Sequence, residues 1–398
     1  MEKLINLIVG IILFSNLYYL SPLLGLSSFS VLISLIIICS CGFIFRYKRS
    51  FSKLLMQKLT IRLIVLSFIL FIIQILSDYK IYINDISRIT LYTLYFGWTL
   101  FLFKNKIELY SHLKKQLFIL FFLIIIMSFI EYYFYDLFHL IIDPEFITGR
   151  INKRLTITFL DPNAFAFALV SFAYIYTILE KSLIYKLAIL FITLLLVNYT
   201  GSRLGLLLSL ILLIQHLIIF SKNKSKSKYL FLFLIFVSFL LVPKSNNDNS
   251  DKASIVQRLT ETKQSNNASA SSNARISSLN DGLKASNLSN IILPPGNFLF
   301  RSKWKIEENG PHYPHSTFLY MIVEYGIYVF WPLLIFIPLY KKSKITKNRQ
   351  LYFFLMIALF LLPNLIYYST CFLIIFFIEL EYISHISKIK NKFIKSNF

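Results

Sequence analysis

Arg203 is the residue whose type and surroundings point most directly to binding chemistry. It follows Gly201 and Ser202 in the sequence NYTGSRLGLL, and this Gly-Ser pair predicts the start of a helix. The first turn of a helix has unpaired backbone N–H groups and the positive end of the helix dipole, which together favour an anion. An arginine here predicts a phosphate-binding site. An arginine paired with a carboxylate or a backbone carbonyl is the alternative.

A histidine stands at the start of a second candidate group, the sequence HSTFLYMIVEYG at 315–326. His315 is expected at a helix start, where the dipole favours the neutral imidazole that can accept a proton. A histidine that only caps the helix is the alternative. Glu324 lies in the same apolar run, where an ionisable residue is a candidate for function. Because prolines distort the spacing of His312 and His315 and no third ligand is near, no metal site is predicted.

The third group is the sequence FLDPNAFAFAL at 159–169. Asp161 and Asn163 flank a proline, which predicts a turn or a helix start. Arg154 ends a short basic stretch just before this turn. The group is a candidate binding site, and a capped helix beside a solvated basic loop explains the same residues.

The composition decides what kind of molecule must position these groups. The 398 residues are 57% hydrophobic and 15% charged, whereas soluble domains are about 45–50% apolar and about 25% charged. This excludes a soluble enzyme, a nucleic-acid binder and a disordered scaffold. The net charge of +22 does not indicate nucleic acid, because the lysines lie in short gaps between apolar runs. The sequence predicts an all-α polytopic membrane protein.

Windows of membrane-spanning length predict twelve transmembrane helices. Nine lie in residues 1–242, three lie in 315–398 before a basic cytoplasmic tail, and residues 243–314 form one large external loop. The spans are expected near 4–20, 22–45, 61–77, 86–103, 117–135, 157–179, 183–199, 203–220, 227–242, 315–340, 351–368 and 369–384.

Lysine and arginine set the predicted orientation. Most of the 41 Lys and Arg residues fall in alternate short loops, which places those loops and both termini in the cytoplasm. The large loop and the three candidate groups then face the exterior. In the loop, Ile276, Leu279 and Leu283 recur at helical spacing beside Arg275, which predicts a short amphipathic helix. Outward-facing Arg, His and Asn in a lipid-embedded protein suit a pyrophosphate-linked lipid substrate.

At these residues the chain resembles the O-antigen polymerase and ligase superfamily, polytopic glycosyltransferases that use undecaprenyl-pyrophosphate glycans. The resemblance covers about 155–330 and departs at Ser316, where the family often has Asn, and at Ile157 and Thr158, where it often has glycine. The matching pieces occur in the family's order: DPNAFA at 161–166, GSRLGLL at 201–207, Arg275 with Pro295-Gly296, and HSTFLYMIVEYG at 315–326.

The resemblance implies a fold like that of the C-type glycosyltransferases and a role for each matching residue. Arg203 and Arg275 would hold the donor pyrophosphate and stabilise it as it leaves, and His315 would accept the proton from the attacking sugar hydroxyl or orient that hydroxyl. Metal and cofactor are not expected. The implied substrate-binding residues, which would support donor or acceptor, are Arg154, Asp161, Asn163, Ser202 and Glu324.

The leading interpretation is a repeat-unit polymerase for O-antigen or capsular polysaccharide in the cytoplasmic (inner) membrane, with its active site facing the periplasm. The alternative in the same class is a ligase that transfers the glycan to lipid A core, protein or cell wall. A transporter of the same lipid is a third reading, disfavoured because the sequence has no internal repeat. The expected partners are lipid-linked oligosaccharides, the bilayer and a chain-length regulator, with no nucleic acid.

Overall fold

The computed structural model describes Val65 and residues 109–142, 154–157, 162–221, 330–346, 349–361, 373–375, 377–382 and 384–385. All regular secondary structure in these residues is helical, in agreement with the all-α prediction. Most of the predicted spans before residue 109, the ninth span and the loop 243–314 lie outside them. The helices with defined bounds are α1 (Leu109–Tyr133), α2 (Tyr135–Ile142), α3 (Pro162–Leu179), α4 (Leu183–Thr200), α5 (Arg203–Ser221), α6 (Phe330–Ile345) and α7 (Arg349–Leu361).

Three helices in the described part of the chain are long and apolar enough to cross a membrane: α1 from Ser111 to Tyr133, α3 and α4. They correspond to the predicted spans 117–135, 157–179 and 183–199. The helical ends differ from the predicted ones where the flanking sequence is polar or bent. Helix α1 begins at Leu109, because the lysine-containing turn before the apolar run continues the helix. Helix α3 has its first described residue at Pro162, and Ile157, the predicted start, has a left-handed backbone with φ 50° that is not helical.

Two further helical stretches lie in segments that the sequence predicts as loops. Helix α2 occupies the start of the loop predicted at 136–156. Helix α6 continues to Ile345, into the loop predicted at 341–350, and has Lys342 and Lys344 in its last turn. Cations stabilise a helix C-terminus, where the dipole is negative. Hydropathy marks the part of a helix that crosses lipid and misses its polar extensions.

The chain divides into two compact units, of which the first includes residues 110–221 and the second the described residues from 330 onward. In the first unit α3 is the central helix. Its side chains from Ala164 to Thr177 are all buried, and α3, α4 and α5 pack against one another in pairs. A helix that is apolar all round is stable when neighbours cover it on every side.

Helices α1 and α3 run antiparallel. Near the start of α1, Lys114 Nζ lies 2.8 Å from Oε2 of Glu180, just after the end of α3. Near the end of α1, Glu131 binds residues 156 and 157, which precede α3. The first unit therefore has two ends, which we call the Glu131 end and the Glu180 end.

An apolar stripe on α1 is exposed and suits contact with lipid, because hydrocarbon solvates apolar side chains. Its members are Phe118, Phe122, Ile126, Phe129, Ile130 and Tyr133.

The second unit contains α6, α7 and the helical residues after 372. Helices α6 and α7 pack together. Lys342 of α6 pairs with the buried carboxylate of Glu379, and its Nζ lies 5.5 Å from the ring centroid of Tyr382. A buried carboxylate requires such a partner, so this ion pair ties α6 to the later helical segment.

Candidate functional site

Helices α4 and α5 are joined by a two-residue corner, Gly201 and Ser202. Gly201 has φ 60° and its N–H donates to Asn198 O at 3.2 Å, a conformation that glycine adopts without steric cost. The Ser202 hydroxyl accepts the N–H of Gly205 at 3.1 Å and thereby caps α5. The Ser202 N–H in turn donates to Thr200 Oγ1 at 3.1 Å. The hydroxyl predicted to bind substrate therefore stabilises the corner that carries Arg203.

Arg203 is the first residue of α5 and its side chain is exposed. The Arg203 side chain forms no hydrogen bond and no ion pair with the described part of the chain. The alternative in which Arg203 pairs with a carboxylate or a carbonyl therefore finds no support among these residues. The guanidinium stands at the N-terminus of α5, the place from which the sequence predicts phosphate binding.

Arg154 is anchored at the same corner. Its Nε–H donates to Thr200 O at 2.6 Å, and the next residue, Leu155, donates its N–H to Tyr199 O at 3.2 Å. Thr200 is the last residue of α4, where free carbonyls and the helix dipole favour a cation. Arg154 is half-buried there, and its partner Thr200 precedes the exposed Arg203 by three residues.

Glu131 is a residue of this end that the sequence analysis missed. Its side chain is completely buried, and its carboxylate accepts the N–H of Thr156 at 2.9 Å, the Thr156 hydroxyl at 3.0 Å and the N–H of Ile157 at 2.7 Å. A carboxylate inside the apolar span predicted at 117–135 was the available signal, because such a group is rare in lipid. Its partners, 25 and 26 residues later, leave no pattern in the sequence.

Aromatic rings connect α1 to α4 at the Glu131 end. The rings of Tyr132 and Tyr199 meet edge to face with centroids 5.1 Å apart, and Tyr133 contacts Tyr132 at the same distance. Such aromatic pairs add about 0.5–1.5 kcal/mol beyond their buried area. The end of α1 is thus held beside the corner independently of Glu131.

Asn163 is the second residue of α3 and is half-buried. Helix α3 approaches α5 closely: a Cβ placed on Gly205 would lie 2.5 Å from Ala166 Cβ. Only a glycine permits this approach. Helices α3 and α5 therefore pack together where Ala166 of the DPNAFA motif meets Gly205 of the GSRLGLL motif, which brings the start of α3 to the corner.

The structure places four of the eight predicted site residues. Arg154, Ser202 and Arg203 meet at the corner, and Asn163 lies at the start of the helix that packs against it. The other four, Asp161, Arg275, His315 and Glu324, lie outside the described residues. No group of three or more His, Cys, Asp or Glu side chains able to hold a metal occurs in the described ranges.

The opposite end of the first unit is electrostatically different. Burial raises the pKa of Glu180, but hydrogen bonds from Lys114 and from the N–H groups of Ser182 and Lys181 outweigh it and lower the pKa to about 2. Charge is thus paired at the Glu180 end, whereas the Glu131 end presents the exposed Arg203.

Comparison with known families gives a match that includes the corner. Residues 188–334 match a family model described as O-antigen ligase. No curated protein and no solved structure matches the chain. The matched region begins within α4 and ends within α6. The chain is a helical membrane protein, and its residues 188–334 are similar to the O-antigen ligase family.

Proposed function

We propose that this protein is a repeat-unit polymerase for O-antigen or capsular polysaccharide. It transfers a growing glycan from undecaprenyl pyrophosphate to a lipid-linked repeat unit. The observation that carries the proposal is the corner in the O-antigen ligase region: Arg203 is exposed at the start of α5, and Arg154 is hydrogen-bonded to Thr200 beside it. The exposed Arg203 guanidinium suits a pyrophosphate, whose oxygens bind arginine bidentately, and Arg154 at the same corner suits the glycan attached to it.

The reaction requires a nucleophile, a proton acceptor and stabilisation of the leaving group. A hydroxyl oxygen of the acceptor sugar attacks the anomeric carbon of the donor sugar. The bond from that carbon to the pyrophosphate oxygen breaks, and undecaprenyl pyrophosphate leaves with the electron pair. His315 takes the hydroxyl proton, while Arg203 and Arg275 neutralise the charge that develops on the pyrophosphate. No metal takes part in the proposed reaction.

The remaining predicted residues bind the glycans. Arg154, Asn163 and Asp161 support donor or acceptor sugars near the start of α3, and Glu324 contributes from the tenth predicted span. Ser202 acts by capping α5 and so fixes Arg203. The site faces the exterior of the cytoplasmic membrane, both termini are cytoplasmic, and a chain-length regulator is the proposed protein partner.

A ligase is the second candidate, and the description of the matching family favours it. The donor chemistry is the same in both reactions. Only the acceptor differs, being lipid A core, protein or cell wall in place of a second lipid-linked unit. The two activities are distinguished by the product.

The test uses the purified full-length protein in lipid nanodiscs with the lipid-linked repeat unit extracted from the source cells. With EDTA present, we expect a ladder of lipid-linked products that grow by one repeat unit. Because Arg203 stabilises the leaving group, Arg203→Ala lowers the rate by about 100-fold, and Arg275→Ala and His315→Ala abolish the ladder.

Arg349→Ala is the matched control, because Arg349 is also an exposed arginine at the first position of an apolar helix. It leaves the ladder unchanged. No ladder, but transfer to an added lipid A core acceptor, identifies a ligase. Absence of both products, with movement of the labelled lipid across a sealed vesicle, identifies a transporter. Loss of activity in EDTA contradicts the metal-free reaction.

A further inference from the structure

We propose that Glu131 is the positioning residue for Arg154. Its carboxylate holds the backbone of residues 156–157 and thereby fixes the Arg154 guanidinium at the corner beside Arg203. This inference rests on the proposed function, in which Arg154 supports the glycan substrate. We call residues 154–157 the strap.

The strap is held from two sides. On one side the Arg154 side chain and the Leu155 N–H bond the last two carbonyls of α4, those of Thr200 and Tyr199. On the other side the N–H groups of Thr156 and Ile157 bond the Glu131 carboxylate of α1. Four consecutive residues thus bridge two helices, and the Glu131 side chain anchors them on α1.

Glu131 also maintains an unfavourable backbone conformation. Ile157 has φ 50°, a left-handed value that β-branched residues avoid because Cβ approaches the backbone carbonyl. The hydrogen bond of 2.7 Å from Ile157 N–H to Glu131 Oε2 is made in this conformation. Without the carboxylate, Ile157 is expected to return to an extended or right-handed backbone. Such a change alters the direction of the chain before and after Ile157. It therefore displaces Arg154, three residues earlier.

Glu180 is a comparison carboxylate that pairs with Lys114 of α1 but whose backbone partners are all local. It also is buried and accepts two backbone N–H groups, but these belong to Lys181 and Ser182, the next two residues. Glu180 therefore closes the turn after its own helix. The bonds of Glu131 join residues 25 and 26 positions apart and order a segment that has no helix of its own.

The test compares Glu131→Gln with Glu180→Gln in the nanodisc assay. A glutamine retains one acceptor oxygen and loses the charge, so one amide of the strap is released. We expect Glu131→Gln to raise the KM for the lipid-linked glycan about tenfold, the range for losing a hydrogen bond to a charged group. A smaller fraction of folded enzyme lowers kcat and leaves KM unchanged, so a raised KM separates positioning from stability. Glu180→Gln leaves KM within about twofold.

A double-mutant cycle tests whether Glu131 acts through Arg154. Arg154→Ala alone is expected to raise KM by about tenfold or more. When both residues are changed, KM rises no further than with Arg154→Ala alone, because the guanidinium that Glu131 positions is already absent. Fully multiplicative effects overturn the proposed route from Glu131 through Arg154.

A milder variant and a direct measurement cover the case in which Glu131→Gln does not fold. Thr156→Val conserves volume and removes only the hydroxyl bond to Glu131, and we expect a KM rise of about threefold. Hydrogen exchange of the peptide that contains residues 154–157 quickens in both variants and not in Glu180→Gln. Unchanged exchange, or an unchanged KM in an active enzyme, overturns the inference. Failure of the wild type to transfer glycan to any acceptor overturns the proposed function instead, and the dissociation constant for the same lipid then replaces KM.

Discussion

Ile157 is the residue at which backbone strain and burial oppose each other most clearly. Its φ of 50° lies in the left-handed region, and its side chain is 0% exposed. The strain amounts to about 1–3 kcal/mol. Removal of a buried aliphatic side chain costs about 2–5 kcal/mol. The superfamily that the chain resembles often has glycine near this position. Here the position is a buried isoleucine, whose backbone N–H is bonded by the Glu131 carboxylate.

The balance of these terms predicts the effect of Ile157→Gly on stability. Glycine relieves the strain, but it loses the buried side chain and makes the unfolded chain more flexible. Burial outweighs strain, so we expect a loss of about 2 kcal/mol in the free energy of unfolding. The measurement is denaturant unfolding in detergent, monitored by tryptophan fluorescence. An Ile157→Gly protein more stable than the wild type means that strain outweighs packing here.

The residue-level predictions succeeded where the signal was local. Gly201 and Ser202 indicated a helix start from the sequence alone, and α5 begins at the next residue. The Ser202 hydroxyl and the Arg154 guanidinium bond the protein's own backbone, which residue type does not reveal. Glu131 was overlooked because its hydrogen-bond donors, residues 156 and 157, are distant in the sequence and come close only in the folded chain.

At the scale of helices, hydropathy predicted the apolar cores of α1, α3 and α4 and misplaced two of their starts. The predicted start of 183 for α4 agrees with the observed Leu183. The start of α1 differs by eight residues, 109 against the predicted 117, because lysines continue the helix beyond the apolar run. The predicted start of α3 at residue 157 is wrong, because that residue belongs to the strap, which is not helical.

The contact between α3 and α5 predicts the effect of Gly205→Ala. On an isolated helix this change stabilises by about 1 kcal/mol. Here the new Cβ would lie 2.5 Å from Ala166 Cβ and 3.2 Å from Val197 Cγ1. Overpacking of this kind costs about 1–3 kcal/mol, so we expect a net loss of stability and a displaced corner with lower transfer activity.

Ala166→Gly is the compensating change for that variant, because it removes the atom that the new methyl group meets. The double variant Gly205→Ala with Ala166→Gly should recover part of the lost activity. Thermal unfolding and the transfer assay on the three proteins measure both effects. If Gly205→Ala raises the unfolding temperature, the close approach of the two helices is contradicted.

The tie between α1 and α3 at the Glu180 end predicts a dependence of stability on pH. The pKa of Glu180 is lowered from 4.5 to about 2 in the folded protein. A carboxylate with a depressed pKa stabilises the fold fully above its unfolded pKa and loses that contribution as pH falls through the folded value. The stability difference between wild type and Glu180→Gln is therefore largest at pH 6 and shrinks between pH 4.5 and 2. A difference that is constant with pH contradicts the ion pair with Lys114.

For the whole molecule, the helices of the first unit alternate in direction. Helix α1 ends where α3 begins, and α4 ends at the corner from which α5 starts back beside α3. Residues at the two ends of this unit therefore lie on opposite sides of a membrane that the helices cross. The prediction of which end faces outward comes from the distribution of lysine and arginine among the loops. This distribution is read from the sequence and not from the packing of the helices.

Two exposed residues test that orientation. Asp136 lies in α2, in the loop predicted to be external, and Lys181 lies in the turn predicted to be cytoplasmic. In a background with Cys39, Cys41 and Cys371 replaced by serine, a membrane-impermeant maleimide should label Asp136→Cys in intact cells and Lys181→Cys only after permeabilisation. The reverse pattern places the corner with Arg154 and Arg203 in the cytoplasm. A glycan carried on the outer leaflet does not reach it there, so that result rules out both polymerase and ligase at this site.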